Sequence, residues 1–177
     1  MLKPKFWDQK NIGFFSIILY PLSLLLLLII SLKKVFTKVH NFKIPIICVG
    51  NIYLGGTGKT PLSILLGNEL LKKGKKVVIL RKFYESHKDE HALIKNEFEN
   101  LILNKNRVKG IEEAERLNYD FVILDDGLQD YRIKKNLSIV CFHGNQLIGN
   151  GLTIPSGPLR EKLNSLQNVE VVLINGK

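Results

Sequence analysis

One glycine-rich loop constrains this chain more than any other feature. Residues 50–61 read Gly-Asn-Ile-Tyr-Leu-Gly-Gly-Thr-Gly-Lys-Thr-Pro, between an apolar run and a helical pattern. Glycines allow backbone N–H groups to converge on phosphate oxygens. A helix opening near Lys59 points its positive dipole end to the same place, and Lys59 itself adds a mobile charge. Thr60 follows where a hydroxyl reaches magnesium. The strict pattern has glycine five residues before Gly58, and Tyr53 stands there instead. A glycine-rich turn without a ligand would not need the strand pattern before it and the helix pattern after it. The loop therefore predicts a nucleoside triphosphate site formed by Tyr53, Leu54, Gly55, Gly56, Thr57, Gly58, Lys59 and Thr60.

The 177 residues suffice for one ordinary α/β domain, but the apolar residues are unevenly spread. Residues 12–32 contain no charge. As a helix they would extend roughly 30 Å, about the thickness of a hydrocarbon core. The Leu-Lys-Lys-Val-Phe-Thr-Lys that follows offers no small-residue cleavage site, which argues against a removed secretory signal. Pro21 can bend a helix, so a segment dipping into one leaflet stands beside a full span. Lys3, Lys5 and Lys10 precede the segment, and Lys33, Lys34, Lys38 and Lys43 follow it. ATP chemistry requires the following domain to face the cytoplasm, with Lys33, Lys34 and Lys38 against anionic phospholipid head groups. Residues 1–43 thus read as a membrane-anchoring segment and 44–177 as the nucleotide-binding domain.

From residue 44 onward, short Val- and Ile-rich runs alternate with amphipathic stretches, the pattern of a mostly parallel sheet flanked by helices. Five buried strands are expected, at 44–49, 76–80, 119–124, 137–142 and 169–174, with helices at 59–73, 89–103 and 111–117. Gly74 stands where a left-handed residue would stop the first helix. Cys48 and Cys141 lie within apolar runs, without metal-ligand spacing, and read as reduced core residues.

Asp125 and Asp126 end the apolar run Phe-Val-Ile-Leu, where a strand delivers carboxylates beside a magnesium-bound nucleotide. An ordinary solvated Asp-Asp-Gly turn is the alternative. Asp89 opens an apolar-periodic helix, and spacing alone leaves it either a helix-start acid or a site residue. The net charge of +10 favours anionic partners. Nucleic acid is not among those expected, because the aromatic residues are not interleaved with exposed Arg and Lys.

Taken together, residues 50–61, Asp-Asp-Gly-Leu-Gln at 125–129, Gly-Asn-Gly at 149–151 and Pro-Ser-Gly-Pro-Leu-Arg-Glu at 155–161 resemble the tetraacyldisaccharide 4'-kinase family. These are the membrane-associated lipid A kinases of Gram-negative bacteria. The resemblance implies a P-loop NTPase-like fold behind an N-terminal hydrophobic membrane helix. It also implies transfer of the ATP γ-phosphoryl group, with Mg2+, to the 4'-hydroxyl of tetraacyldisaccharide 1-phosphate, giving lipid IVA at the cytoplasmic face of the inner membrane.

Carried over by position, the resemblance assigns magnesium to Thr60, Asp125 and Asp126, catalysis to Lys59 and Asp89, and the lipid substrate to Gln129 and Arg160. Asp89 lies in Lys88-Asp89-Glu90, where the family has Gly-Asp-Glu. The chain departs from the family at Tyr53, normally a small residue, at Asp130, normally histidine, and in the short segment before Asp89. The family also continues past the position of Lys177 into a second lobe with another catalytic histidine. His40, His87, His91 and His143 read instead as surface or loop histidines. The competing expectation is a shortened or split nucleotide-binding member that works only with a separate C-terminal half. A membrane-tethered partitioning-type ATPase fits less well, because Leu54 replaces the lysine that class places before its paired glycines.

Overall fold

In a computed structural model of the chain, residues 3–9, 11–85 and 88–176 are described. Lys10 and His87, named above, lie outside the described residues. Helix α1 (Phe14–Phe36) is followed by β1 (Ile46–Gly50), α2 (Lys59–Lys72), β2 (Val77–Lys82), α3 (Lys88–Glu97), β3 (Leu101–Asn104), α4 (Arg107–Arg116), β4 (Phe121–Asp125), β5 (Leu137–His143) and β6 (Val171–Asn175). The strand order is β3-β2-β4-β1-β5-β6, and the β1–β4, β2–β4 and β2–β3 pairs are parallel. Contacts group the chain into two units. One comprises residues up to Thr37, Asn51–Thr57 and Val140 onward; the other comprises Lys38–Gly50 and Gly58–Ile139.

In the second unit, parallel pairing forces helices onto the sheet, so its strands are apolar on both faces rather than alternating. Helix α2 packs on β1, β2 and β4, whereas α4 packs on β2 and β3. Cys48, Val78, Leu80, Val122 and Leu124 meet Val108, Ile111 and Ala114 of α4 in the core. The left-handed Gly74, at φ 74°, follows α2 as expected.

The sheet has six strands rather than five among the described residues. The expected helix over 89–103 stops at Glu97, and Leu101–Asn104 instead forms β3 beside β2. Leu93, Ile94, Phe98, Leu101 and Ile102 fit a helical repeat. The open edge of β2 nevertheless offers 101–104 a full set of backbone partners, and tertiary pairing overrides the local period. Helix α4 opens earlier than expected because the Asn106 side chain accepts from Val108 N, capping a helix that starts at Arg107.

In the first unit, α1 runs unbroken through Pro21. It is long and apolar enough to cross a membrane by length and composition. Its two buried side chains are serines, Ser16 and Ser23, while its phenylalanines, leucines and isoleucines are largely exposed. Ser23 Oγ donates to Thr153 O at 2.9 Å and lies 2.8 Å from Ser156 Oγ, and Asn150 Nδ2 donates to Ser16 Oγ at 3.1 Å. Seven residues apart, the two serines share one face of the helix. The cysteine expectation holds: Cys48 and Cys141 are free thiols and both are buried. Burial pushes the Cys48 thiol up to about 11.

Candidate functional site

Asp125 ends β4, and parallel register sets it level with Val49 of β1 and Arg81 of β2. The strand that runs into the glycine loop and the strand that carries the acid therefore finish side by side. Open α/β sheets bind ligands at such carboxyl ends. Asp125 is fully buried, which is unfavourable for a carboxylate without strong donors. Thr60 Oγ1 donates to Oδ2 at 3.0 Å, and Ser63 Oγ donates to Oδ1 at 3.1 Å. Arg81, itself buried, forms an ion pair with Oδ2 and donates to Thr60 Oγ1 at 3.1 Å. One carboxylate thus fixes the last threonine of the phosphate loop, the second turn of α2 and the end of β2.

Asp126 takes a left-handed backbone at φ 57°, which short acidic side chains tolerate, and its carbonyl accepts from Arg107 Nη2 at 2.6 Å. Beyond Gly127, Asp130 is gripped bidentately by Arg132, at 2.9 and 2.8 Å, with Arg107 3.7 Å away. Burial alone raises the Asp130 carboxyl, but the Arg132 hydrogen bonds and the charges of Arg132 and Arg107 outweigh it and hold the group below its usual range. Asp130 is thus an acid paired with two arginines.

The loop itself falls in two parts. Gly58, left-handed at φ 81°, is the N-cap of α2, and Lys59 begins that helix. The Lys59 ammonium has no hydrogen-bond or ion-pair partner among the described residues. Residues 51–57 belong to the first unit. There Leu54 N donates to Pro158 O at 2.8 Å, and Arg160 N donates to Ile52 O at 2.6 Å. Gly55 takes φ 153°, a conformation side-chain-bearing residues rarely adopt, and space around Gly56 is open. Thr57 Oγ1 is buried without a hydrogen-bond partner. Within the first unit, an orphaned hydroxyl beside an open glycine suits an anionic ligand.

Among the described residues, no cluster of three or more His, Cys, Asp or Glu could enclose a metal. Thr60 and Asp125 are brought together by their hydrogen bond. Asp89 stands exposed in the first turn of α3, with no partner among the described residues, and no contact joins it to Asp125. Gln129 is half-buried in the turn after Asp126. His91, expected at the surface, is buried and stacks on Phe83 with ring centroids 5.5 Å apart.

Three comparisons bear on what this geometry serves. A family model described as tetraacyldisaccharide-1-P 4'-kinase, LpxK, matches residues 15–177. The chain belongs to the tetraacyldisaccharide 4'-kinase family. A relative of that name from Pelagibacter ubique is 48% identical over 175 residues, covering 98% of this chain and 55% of that protein. Another from Ruthia magnifica is 36% identical over 159 residues, covering 79% and 50%. The fold is similar to the LpxK crystal structure from Aquifex aeolicus, described as in complex with ATP. Its TM-score is 0.76 at 26% identity, covering 90% of this chain and 58% of that one. The chain spans about half the length of the curated tetraacyldisaccharide 4'-kinases it matches.

Sequence reasoning passed over Arg81, Ser63 and the Arg107–Asp130–Arg132 cluster as site residues. A basic residue closing an apolar strand was the available signal for Arg81. Its partner lies 44 positions along the chain and is identified only by strand order.

Proposed function

We propose that this chain is the nucleotide-binding part of a lipid kinase that transfers the ATP γ-phosphoryl group to the 4'-hydroxyl of tetraacyldisaccharide 1-phosphate, forming lipid IVA. The hydrogen bond from Thr60 to the buried Asp125 carries the reading. It joins the end of a phosphate loop to a strand-end acid, the pairing on which phosphate-loop kinases place magnesium. Lys59 supplies the mobile cation for the β- and γ-phosphates, and Thr57 Oγ1 gains the partner it lacks. Bound through Thr60 with Asp125 and Asp126, magnesium would neutralise phosphate charge. Asp89 orients the 4'-hydroxyl and accepts its proton as the new O–P bond forms and the bridging bond to the β-phosphate breaks. Arg160 grips the 1-phosphate of the disaccharide, and Gln129 contributes to the same substrate.

Helix α1 supports a place at the membrane surface. A helix that seats its serines on its own unit and turns its apolar side chains outward suits a leaflet surface better than a full span. Lys33, Lys34 and Lys38 would then meet anionic head groups on the cytoplasmic side of the inner membrane, at about 1 kcal/mol each.

A second reading, that catalysis needs a separate C-terminal half, is favoured by β6. Val171, Val172 and Ile174 are exposed on it, at 41, 50 and 59%.

Transfer of labelled γ-phosphate to the lipid disaccharide in detergent tests the first reading. Lys59→Ala is expected to abolish both transfer and ATP binding, and Asp89→Ala to abolish transfer alone. Transfer only on mixing with a relative's C-terminal half supports the second reading. Absence of calorimetric ATP binding at millimolar ligand with magnesium defeats both.

A further inference from the structure

The first part of the phosphate loop is tied to the segment that leads into α1. Lys3 Nζ donates to the Tyr53 hydroxyl and to Asp8 Oδ1, both at 2.7 Å, and the Tyr53 hydroxyl donates to Asp8 Oδ1 at 2.6 Å. The same ammonium lies 5.1 Å from the Tyr53 ring centroid. Burial raises the Tyr53 hydroxyl, and the bond to Asp8 raises it further against the opposing pull of Lys3, so it stays a donor. Between Lys3 and Asp8, Phe6 stacks on Phe15 in the first turn of α1, with centroids 6.1 Å apart. On the other flank, Pro158 and Arg160 bond Leu54 and Ile52, and Thr153 and Ser156 of that same stretch hold Ser23 of α1. Both attachments of residues 52–54 therefore lead to α1. Residues 51–57 accordingly group with 1–37 rather than with the strand and helix on either side of them in sequence.

We propose that Tyr53, through Lys3 and Asp8, is a positioning residue that couples the phosphate loop's grip on nucleotide to the seating of α1 on an anionic phospholipid surface. The proposal rests on the nucleotide reading of the loop. Where the strict motif has glycine, no side chain could make this attachment, whereas a phenol can. Seating α1 in lipid fixes Lys3, Phe6 and Asp8 and with them Tyr53, leaving less of the glycine loop for the nucleotide to order. Ligands that order the same segment bind with positive coupling. The coupling is reciprocal, so nucleotide must strengthen lipid binding by the same factor that lipid strengthens nucleotide binding.

The test titrates the full chain with a fluorescent ATP analogue and magnesium, with and without vesicles of phosphatidylglycerol and phosphatidylethanolamine. Vesicles are expected to tighten nucleotide binding about fivefold or more, and saturating nucleotide to tighten vesicle co-sedimentation equally. In Tyr53→Phe, which keeps the ring and loses the hydroxyl, both enhancements fall toward one, while vesicle binding without nucleotide is unchanged. Asp8→Asn carries the same test at a more exposed position should Tyr53→Phe fail to fold. Nucleotide binding that ignores vesicles, or an enhancement that survives in both variants, overturns the coupling alone. No nucleotide binding under any condition overturns the nucleotide reading and the coupling with it.

Discussion

Asp125 is cut off from water, yet it is satisfied by Thr60, Ser63 and Arg81. Breaking a buried ion pair from one side leaves the other charge stranded, at a cost of about 3–5 kcal/mol. Arg81→Met is therefore expected to lower the unfolding free energy by about that amount in urea melts, against ~1 kcal/mol for Ser63→Ala. Arg132 and Arg107 set a pH window through Asp130. Because the folded carboxyl is held below its unfolded value, its stabilisation is present above the ordinary carboxylate range and lost as pH falls through the folded value. Melts of the native chain and Asp130→Asn should differ at pH 7 and converge at acid pH. A constant gap down to pH 2 would show that the arginines do not act through this charge.

At the scale of elements, α2 touches α3 and the sheet at close range. A Cβ on Gly67 would lie 2.5 Å from the Phe98 ring. Alanine favours a helix over glycine by up to about 1 kcal/mol, while overpacking costs about 1–3 kcal/mol. The steric effect should win, so Gly67→Ala is expected to lower the melting temperature and Gly67→Ala with Phe98→Leu to recover part of it. Phe98 also marks where sequence reasoning reached its limit. The glycine loop, the acid-ended β4 and the stop at Gly74 were legible because each is written in consecutive residues. Residues 101–104 were not, because their strand state depends on the edge of β2. The Arg81–Asp125 pair was hidden for the same reason, as parallel register brings it together. Tyr53 could be read as a departure from the motif, but its purpose lay in Lys3 and Asp8, far back in the chain.

Across the whole molecule, α1 reverses the usual arrangement of a protein helix, with hydroxyls inward and hydrocarbon outward. Replacing Leu25 or Leu28 with aspartate should weaken partitioning onto vesicles by tenfold or more, since burying one leucine contributes about 1.5–3 kcal/mol. The melting temperature should hardly change, because neither side chain is buried against protein. Ser23→Leu is expected to do the opposite, removing the bond to Thr153 and crowding Ser156, and so lowering the melt. Equal effects of both changes on partitioning would remove the distinction between the two faces.

Both native thiols are enclosed in β1 and β5, and Cys48 is also far from ionised at neutral pH. A maleimide dye would therefore ignore them in the folded chain. A single cysteine placed at Leu25 would take the label alone, and quenching of its emission by spin-labelled acyl chains would report how deep this helix rides.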